Sequence, residues 1–269
     1  LLKHSSNQEV FVWLLQIAQV MLFAPLAIIL LWNGGIEARG WWFILGTSFI
    51  HIVYFLFLSR SYMHANFSLA YPLARGTGPA LVPFLGVGLL DENITLLAIL
   101  GVITIVSGIF TAYWWGQIFE IFKNPLKFLK DPGTRFALLT GVTIAGYSVW
   151  DKVGISHVNP LLYMYLLSFG TGIGLVPYIF WKHNVPTIRK EFSLNKLPIF
   201  GAAILTFFAY SAVLSALQFS NVSYISPARE IGIVFSVLLG VIVLKEPVNT
   251  GRVAGSAIIA SGVFLIALG

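Results

Sequence analysis

Residues 74–110 read ARGTGPALVPFLGVGLLDENITLLAILGVITIVSGIF, and residues 228–264 read AREIGIVFSVLLGVIVLKEPVNTGRVAGSAIIASGVF. Aligned without a gap at an offset of 154, they share 13 of 37 positions: Ala74/Ala228, Arg75/Arg229, Gly78/Gly232, Leu85/Leu239, Gly86/Gly240, Val87/Val241, Leu90/Leu244, Glu92/Glu246, Gly101/Gly255, Ile105/Ile259, Ser107/Ser261, Gly108/Gly262 and Phe110/Phe264. Two unrelated apolar helices would share roughly three by composition alone. The agreement marks an internal duplication. Each copy is a pair of apolar runs joined by a short polar turn, so the duplicated unit is a helical hairpin of membrane-crossing length.

Outward from these hairpins the chain keeps the same character. Of its 269 residues, 58% are apolar and 10% charged, with a mean hydropathy of +0.87, against about 25% charged in an ordinary soluble domain. A single aqueous core cannot hide that apolar surface. The continuous runs predict an all-α polytopic membrane bundle, since lipid tolerates only helices or closed barrels. Nine spans are expected, at about 10–31, 41–59, 66–90, 94–116, 134–151, 159–181, 197–219, 222–244 and 249–268. Short connections such as Asn33-Gly34-Gly35, Asp91-Glu92-Asn93 and Lys245-Glu246-Pro247 make successive helices antiparallel neighbours.

The span at 134–151 has no partner in the first half. An additional helix is therefore expected ahead of Leu1, with Lys3 in the position of Lys152. The intact protein would have five plus five helices, and an odd number inverts one half relative to the other. The domains expected are a first repeat at 1–116 lacking its first helix, a basic connecting loop at 117–133, and a second repeat at 134–269.

The net charge of +6 rests largely on two stretches between apolar runs: Lys123, Lys127, Lys130 and Arg135, and Lys182, Arg189, Lys190 and Lys196. Neither has the aromatic interleaving that stacks bases, so nucleic acid is not an expected partner. With no cysteine, disulfides, cysteine zinc sites and thiol nucleophiles are excluded. No His-Glu-x-x-His, Gly-x-Ser-x-Gly or phosphate-cradling loop occurs. The chain reads as a non-enzyme with no cofactor and no metal.

The two hairpins resemble a known group, the EamA-like transporters of the drug/metabolite transporter superfamily. The resemblance rests on Ala70-Tyr71-Pro72-Leu73-Ala74-Arg75-Gly76-Thr77-Gly78-Pro79 through Leu89-Leu90-Asp91-Glu92 to Gly101 and Gly108. It rests equally on Ser226-Pro227-Ala228-Arg229 through Val243-Leu244-Lys245-Glu246-Pro247 to Gly255 and Gly262. It implies a ten-helix inverted repeat in the cell (inner) membrane, with a central cavity and small organic metabolites moved by alternating access, as exporter or exchanger. Two other readings stand beside it: a flippase for a lipid-linked intermediate, and a non-transporting receptor or scaffold.

Arg75 and Arg229 occupy equivalent positions well inside their spans, where an Arg costs at least about 2.5–3.5 kcal/mol unless it faces a wet or polar interior. Either they hold an anionic substrate group such as a carboxylate, or they support the fold by bonding broken-helix carbonyls near Pro72, Pro79 and Pro227. Glu230 has no counterpart, the matching residue being Gly76. A lone intramembrane carboxylate suits proton coupling, and in that case Glu230→Gln removes pH dependence. Alternatively Glu230 neutralises Arg75 or Arg229. Tyr54, Tyr71, Tyr147, Tyr163, Tyr210 and Tyr224 are candidates to line an amphipathic pocket, and Tyr71, Tyr147, Tyr210 and Tyr224 join the two arginines as expected substrate contacts.

Asp151 and Lys152 read as an interfacial pair at a helix end, and His51 as an isolated bundle histidine. Glu92 and Glu246 read as caps, and the Gly101/Gly108 and Gly255/Gly262 pairs as packing faces. Trp41, Trp42, Trp114, Trp115, Trp150 and Trp181 read as an interfacial belt. The cations count 11 on one side against 2 on the other. That places 117–135 and 182–196 in the cytoplasm and the C-terminus outside, whereas the resemblance implies a cytoplasmic C-terminus.

Overall fold

The computed structural model describes residues 7–64, 67–115, 130–242, 245 and 249–269, the side chains of 67–69 excepted. Lys3, Lys123, Lys127, Glu246 and Pro247, with most of the stretch 117–133, lie outside the described residues. Among those described the chain is helical, with no strand. The helices are α1 (Gln8–Gly34), α2 (Ala38–His64), α3 (Phe67–Leu90), α4 (Leu96–Trp114), α5 (Pro132–Gly154), α6 (Pro160–Gly174), α7 (Val176–Lys182), α8 (Val185–Phe219), α9 (Val222–Ala228), α10 (Ile231–Ile242) and α11 (Thr250–Leu268).

Among the described residues, eight stretches are long and apolar enough to cross a membrane, with α6–α7 and α9–α10 each counting as one. α5 is the ninth stretch of membrane length, diluted by Thr134, Thr140, Thr143, Asp151 and Lys152. The chain is thus a polytopic helical membrane protein.

Short polar side chains set the helix starts. Asn7, Thr95, Asn159 and Asn249 accept from backbone N–H groups of the first turn, satisfying donors that would otherwise lack partners. Pro160 follows its cap at the first helical position, where a missing N–H costs nothing. Asp91 and Lys245 both take φ 52°. They are equivalent under the repeat, so the duplicated hairpins keep the same left-handed exit from their first helices.

The stretch 182–196 is not a loop: α8 begins at Val185 and is kinked at Asn195 (φ −122°, ψ 25°). Asn184 caps it, its side chain accepting from Thr187 N at 3.0 Å. Trp114 is also no belt residue. It is 4% exposed and stacks on Phe110 at 4.8 Å, while Trp41, Trp42, Trp115, Trp150 and Trp181 do present large surfaces.

The chain divides into two compact units, 1–53 with 150–219 and 54–149 with 220–269, so each draws on both sequence halves. In the first, the buried amide of Gln19 joins three helices. It donates to Ala203 O and Thr206 Oγ1 on α8 and accepts from Ser168 Oγ on α6. Trp13 of α1 donates to Gly172 O.

In the second unit α4 and α11 lie against each other through glycine. A Cβ on Gly101 would stand 2.7 Å from Gly262 O, and one on Gly262 the same distance from Gly101 O. Gly108 faces Gly255 O at 2.9 Å, and Gly255 faces Ala112. The pairs run antiparallel and exchange with one another under the 154-residue offset. Small residues allow this backbone approach, which drives helix association in lipid. Ile105, Ile109, Ile259 and Ile266 complete the seam.

Candidate functional site

The functional side chains of the second unit gather where its two repeat copies differ. Pro227 has no N–H and cannot continue a helix ladder, and α9 ends one residue later. Glu230 N bonds Pro227 O, Gly232 N bonds Arg229 O, and Ile233 N bonds Glu230 O. These three-residue steps tighten the backbone before α10 resumes. The span Val222–Ile242 is therefore broken at Arg229-Glu230. Arg229 sits at the electronegative C-terminal end of α9, and Glu230 precedes the electropositive N-terminal end of α10, so each charge is on its favoured end. In the equivalent α3 the chain stays helical through Pro72, Pro79 and Pro83, and Arg75 projects from an unbroken run.

Glu230 is 1% exposed and draws both arginines to one oxygen: Oε1 accepts from Arg75 Nη1 at 3.2 Å and Arg229 Nε at 3.5 Å. Each guanidinium also lies over a tyrosine ring at 5.7 Å, Arg75 over Tyr71 and Arg229 over Tyr147. The ring faces add cation–π attraction that strengthens as water is excluded. Tyr54 packs edge-on to Tyr147, and Tyr113 lies against Tyr71. The arrangement holds two cations on one anion within an aromatic frame. Arg229 is 12% exposed, whereas Arg75 keeps 38%, so Arg75 offers the more open guanidinium.

Of the expected contacts, Arg75, Arg229, Glu230, Tyr71 and Tyr147 come together. Tyr224 stands apart: its hydroxyl accepts from Thr95 N at 3.2 Å, and its ring packs on the α4–α11 core. Tyr210 belongs to the first unit, where it donates to Asp151 at 2.5 Å. Glu92, the expected cap, caps at a distance in sequence. It accepts from Val222 N at 2.7 Å, Ser223 N at 3.1 Å and Ser223 Oγ at 2.5 Å, closing the N-terminus of α9.

Asp151 is the residue the sequence undervalued. It is wholly buried, and the neighbouring Lys152 Nζ donates to Leu217 O at 2.6 Å. Its carboxylate takes hydroxyl donors from Tyr163 and Tyr210, and His51 packs edge-on to Tyr210 with ring centroids 6.1 Å apart. Three helices supply this shell, so no local pattern around Asp151-Lys152 reveals it.

Comparison with known proteins gives three likenesses. The profile of the EamA-like transporter family matches residues 132–268. A protein of Archaeoglobus fulgidus, described as an uncharacterized transporter, is 26% identical over 225 residues, covering 83% of this chain and 74% of that relative. A crystal structure shares the fold at a TM-score of 0.68 and 16% identity, covering 95% of this chain and 88% of the other.

Proposed function

This chain belongs to the EamA-like transporter family, in the drug/metabolite transporter superfamily, and is a multi-pass membrane transporter. From that premise we propose that it is a secondary active transporter of the cell (inner) membrane that moves small organic anions, carboxylates above all, by alternating access in the outward direction. The observation that carries this reading is charge. Arg75 and Arg229 share the single carboxylate of Glu230, so this membrane-embedded cluster holds one surplus positive charge. A carboxylate arriving at the more open Arg75 completes the balance, accepting the paired N–H bonds that a guanidinium presents. Tyr71 and Tyr147 fix the guanidinium planes and offer their ring edges to an amphipathic substrate.

Glu230 acts here as the counter-ion that makes two membrane-embedded arginines tolerable. Protonating it would leave both guanidiniums without their charge partner, which is costly in a low-dielectric interior. The break at Arg229-Glu230 supplies a place where α9 and α10 can change angle between the two access states.

A thermal-stabilisation screen of the purified protein against carboxylates, amines, amino acids and nucleobases tests the proposal. A ligand at a hundredfold excess over its dissociation constant stabilises by about 2.7 kcal/mol. Carboxylates such as succinate and benzoate are expected to raise the unfolding temperature, and Arg75→Gln to abolish the rise. Stabilisation by amines alone would overturn the anionic reading.

A further inference from the structure

Glu230 and Asp151 are both buried acids, but their partners differ in a way that decides what each can do. The partners of Glu230 are guanidiniums, which donate hydrogen bonds and never accept them. Those of Asp151 are hydroxyls, and a hydroxyl does either. Tyr163 Oη donates to Oδ1 at 2.8 Å and Tyr210 Oη to Oδ2 at 2.5 Å. Tyr163 Oη also stands 3.4 Å from Phe43 O, so a second acceptor for its proton is already in place.

We propose that Asp151, in its shell of Tyr163, Tyr210, Thr47 and His51, is a reversible proton-binding site and the point at which a proton couples to transport. When the carboxylate is charged, both tyrosines donate to it. When it takes a proton from water, the new carboxyl O–H donates to Tyr163 Oη, and the Tyr163 O–H turns to Phe43 O. On release the proton returns to water and the tyrosine turns back. Each charge state is fully hydrogen-bonded, so neither leaves a buried donor unmet. A proton is the cation that fits: both carboxylate oxygens already accept from tyrosine hydroxyls, and the carboxylate has no exposed surface to receive a larger cation. No cluster of three or more metal-ligating side chains occurs among the described residues.

The groups facing the carboxylate come from every helix around it: Tyr163 on α6, Tyr210 on α8, and Thr47 and His51 on α2. His51 Nδ1 is held by Thr47, 3.1 Å from its hydroxyl and 2.9 Å from its carbonyl. The adjacent Lys152 donates to Leu217 O. Tyr210 is the half-buried member of the shell; it packs edge-on to His51 and holds Oδ2 while Oδ1 takes and releases the proton.

The coupling part of this inference rests on the transporter reading; the protonation site does not. Infrared difference titration of the full chain in lipid nanodiscs detects the carbonyl band of a buried protonated carboxyl without any substrate. We expect a titrating band that Asp151→Asn removes, that Glu230→Gln retains, and whose midpoint Tyr210→Phe displaces. The Tyr210→Phe variant keeps the test sharp if Asp151→Asn does not fold. Absence of a titrating band would overturn the site, as would its survival in Asp151→Asn, or an unmoved midpoint in Tyr210→Phe. Failure of the carboxylate reading shows differently, as a screen in which no carboxylate stabilises the protein.

Discussion

The two copies of the duplicated hairpin have kept their packing and diverged in charge. Under the 154-residue offset, Gly101, Gly108, Gly255 and Gly262 still meet reciprocally across the α4–α11 seam, and Asp91 and Lys245 still share φ 52°. The helices ahead of them have parted. α3 runs unbroken through Arg75-Gly76, while the second copy breaks at Arg229-Glu230. Close packing tolerates no added atom at the seam, so both glycine pairs were held. Each arginine, by contrast, requires compensation, and one acid placed in one copy compensates both. The copy that carries the acid is the copy that unwinds, where helix ends favour both charges.

If one carboxylate serves both copies, removing it should be the most damaging change in the second unit. Glu230→Ala leaves two guanidiniums without a counter-charge and is expected to cost roughly 3–5 kcal/mol, read as reduced unfolding temperature and yield. Moving the acid to its equivalent place, Glu230→Gly with Gly76→Glu, should recover part of that loss. The ring of Phe110 lies 3.2 Å from a Cβ at Gly76 and has to shift, so recovery is incomplete. No recovery at all would break the equivalence of the two positions.

The seam is expected to respond symmetrically. Gly101→Ala and Gly262→Ala each push a Cβ to 2.7 Å from the backbone of the facing helix. Each should destabilise by about 1–3 kcal/mol, and by similar amounts, because each glycine faces the other's carbonyl oxygen at the same distance. A large effect at one with none at the other would show that the seam is not shared evenly.

How much of this was legible in the sequence depends on whether the repeat could report it. Arg75 and Arg229 were found because duplication aligned them, and Glu230 because the alignment left it facing Gly76. The joining of all three at one carboxylate oxygen was only one of several readings, since sequence does not give distance across 155 residues. Asp151 has no repeat partner in this chain and sits beside Lys152, so it read as an interfacial pair at a helix end; its shell of Tyr163, Tyr210 and His51 exists only in the folded unit. The start of α8 was hidden by Arg189 and Lys190, although Asn184 ahead of Pro186 carried a cap signal.

Glu92 offers a smaller test of the same comparison. It closes the amides of Val222 and Ser223, tying the turn of the first copy to the start of the second. Glu92→Gln keeps one acceptor oxygen but loses the charge-assisted bonds, and should cost about 1 kcal/mol. A loss as large as that of Glu230→Ala would mean that the junction, not the charge cluster, anchors this unit.

The smallest expected effects concern the tyrosines that face the two arginines. Arg75–Tyr71 and Arg229–Tyr147 have the same 5.7 Å geometry, but Tyr147 is buried and Tyr71 half-buried. Cation–π attraction is about 0.5–1 kcal/mol at exposed sites and reaches about 2 when desolvated. Tyr147→Leu should therefore destabilise more than Tyr71→Leu, while the Phe variants of both, which keep the ring face, should stay within about 0.5 kcal/mol of the parent. The ranking reverses for binding: Tyr71 orients the more open guanidinium, so Tyr71→Leu should weaken succinate stabilisation more than Tyr147→Leu does. If the same variant leads both rankings, the rings do not divide their work between holding the fold and presenting the substrate cation, and the two copies are functionally equivalent after all.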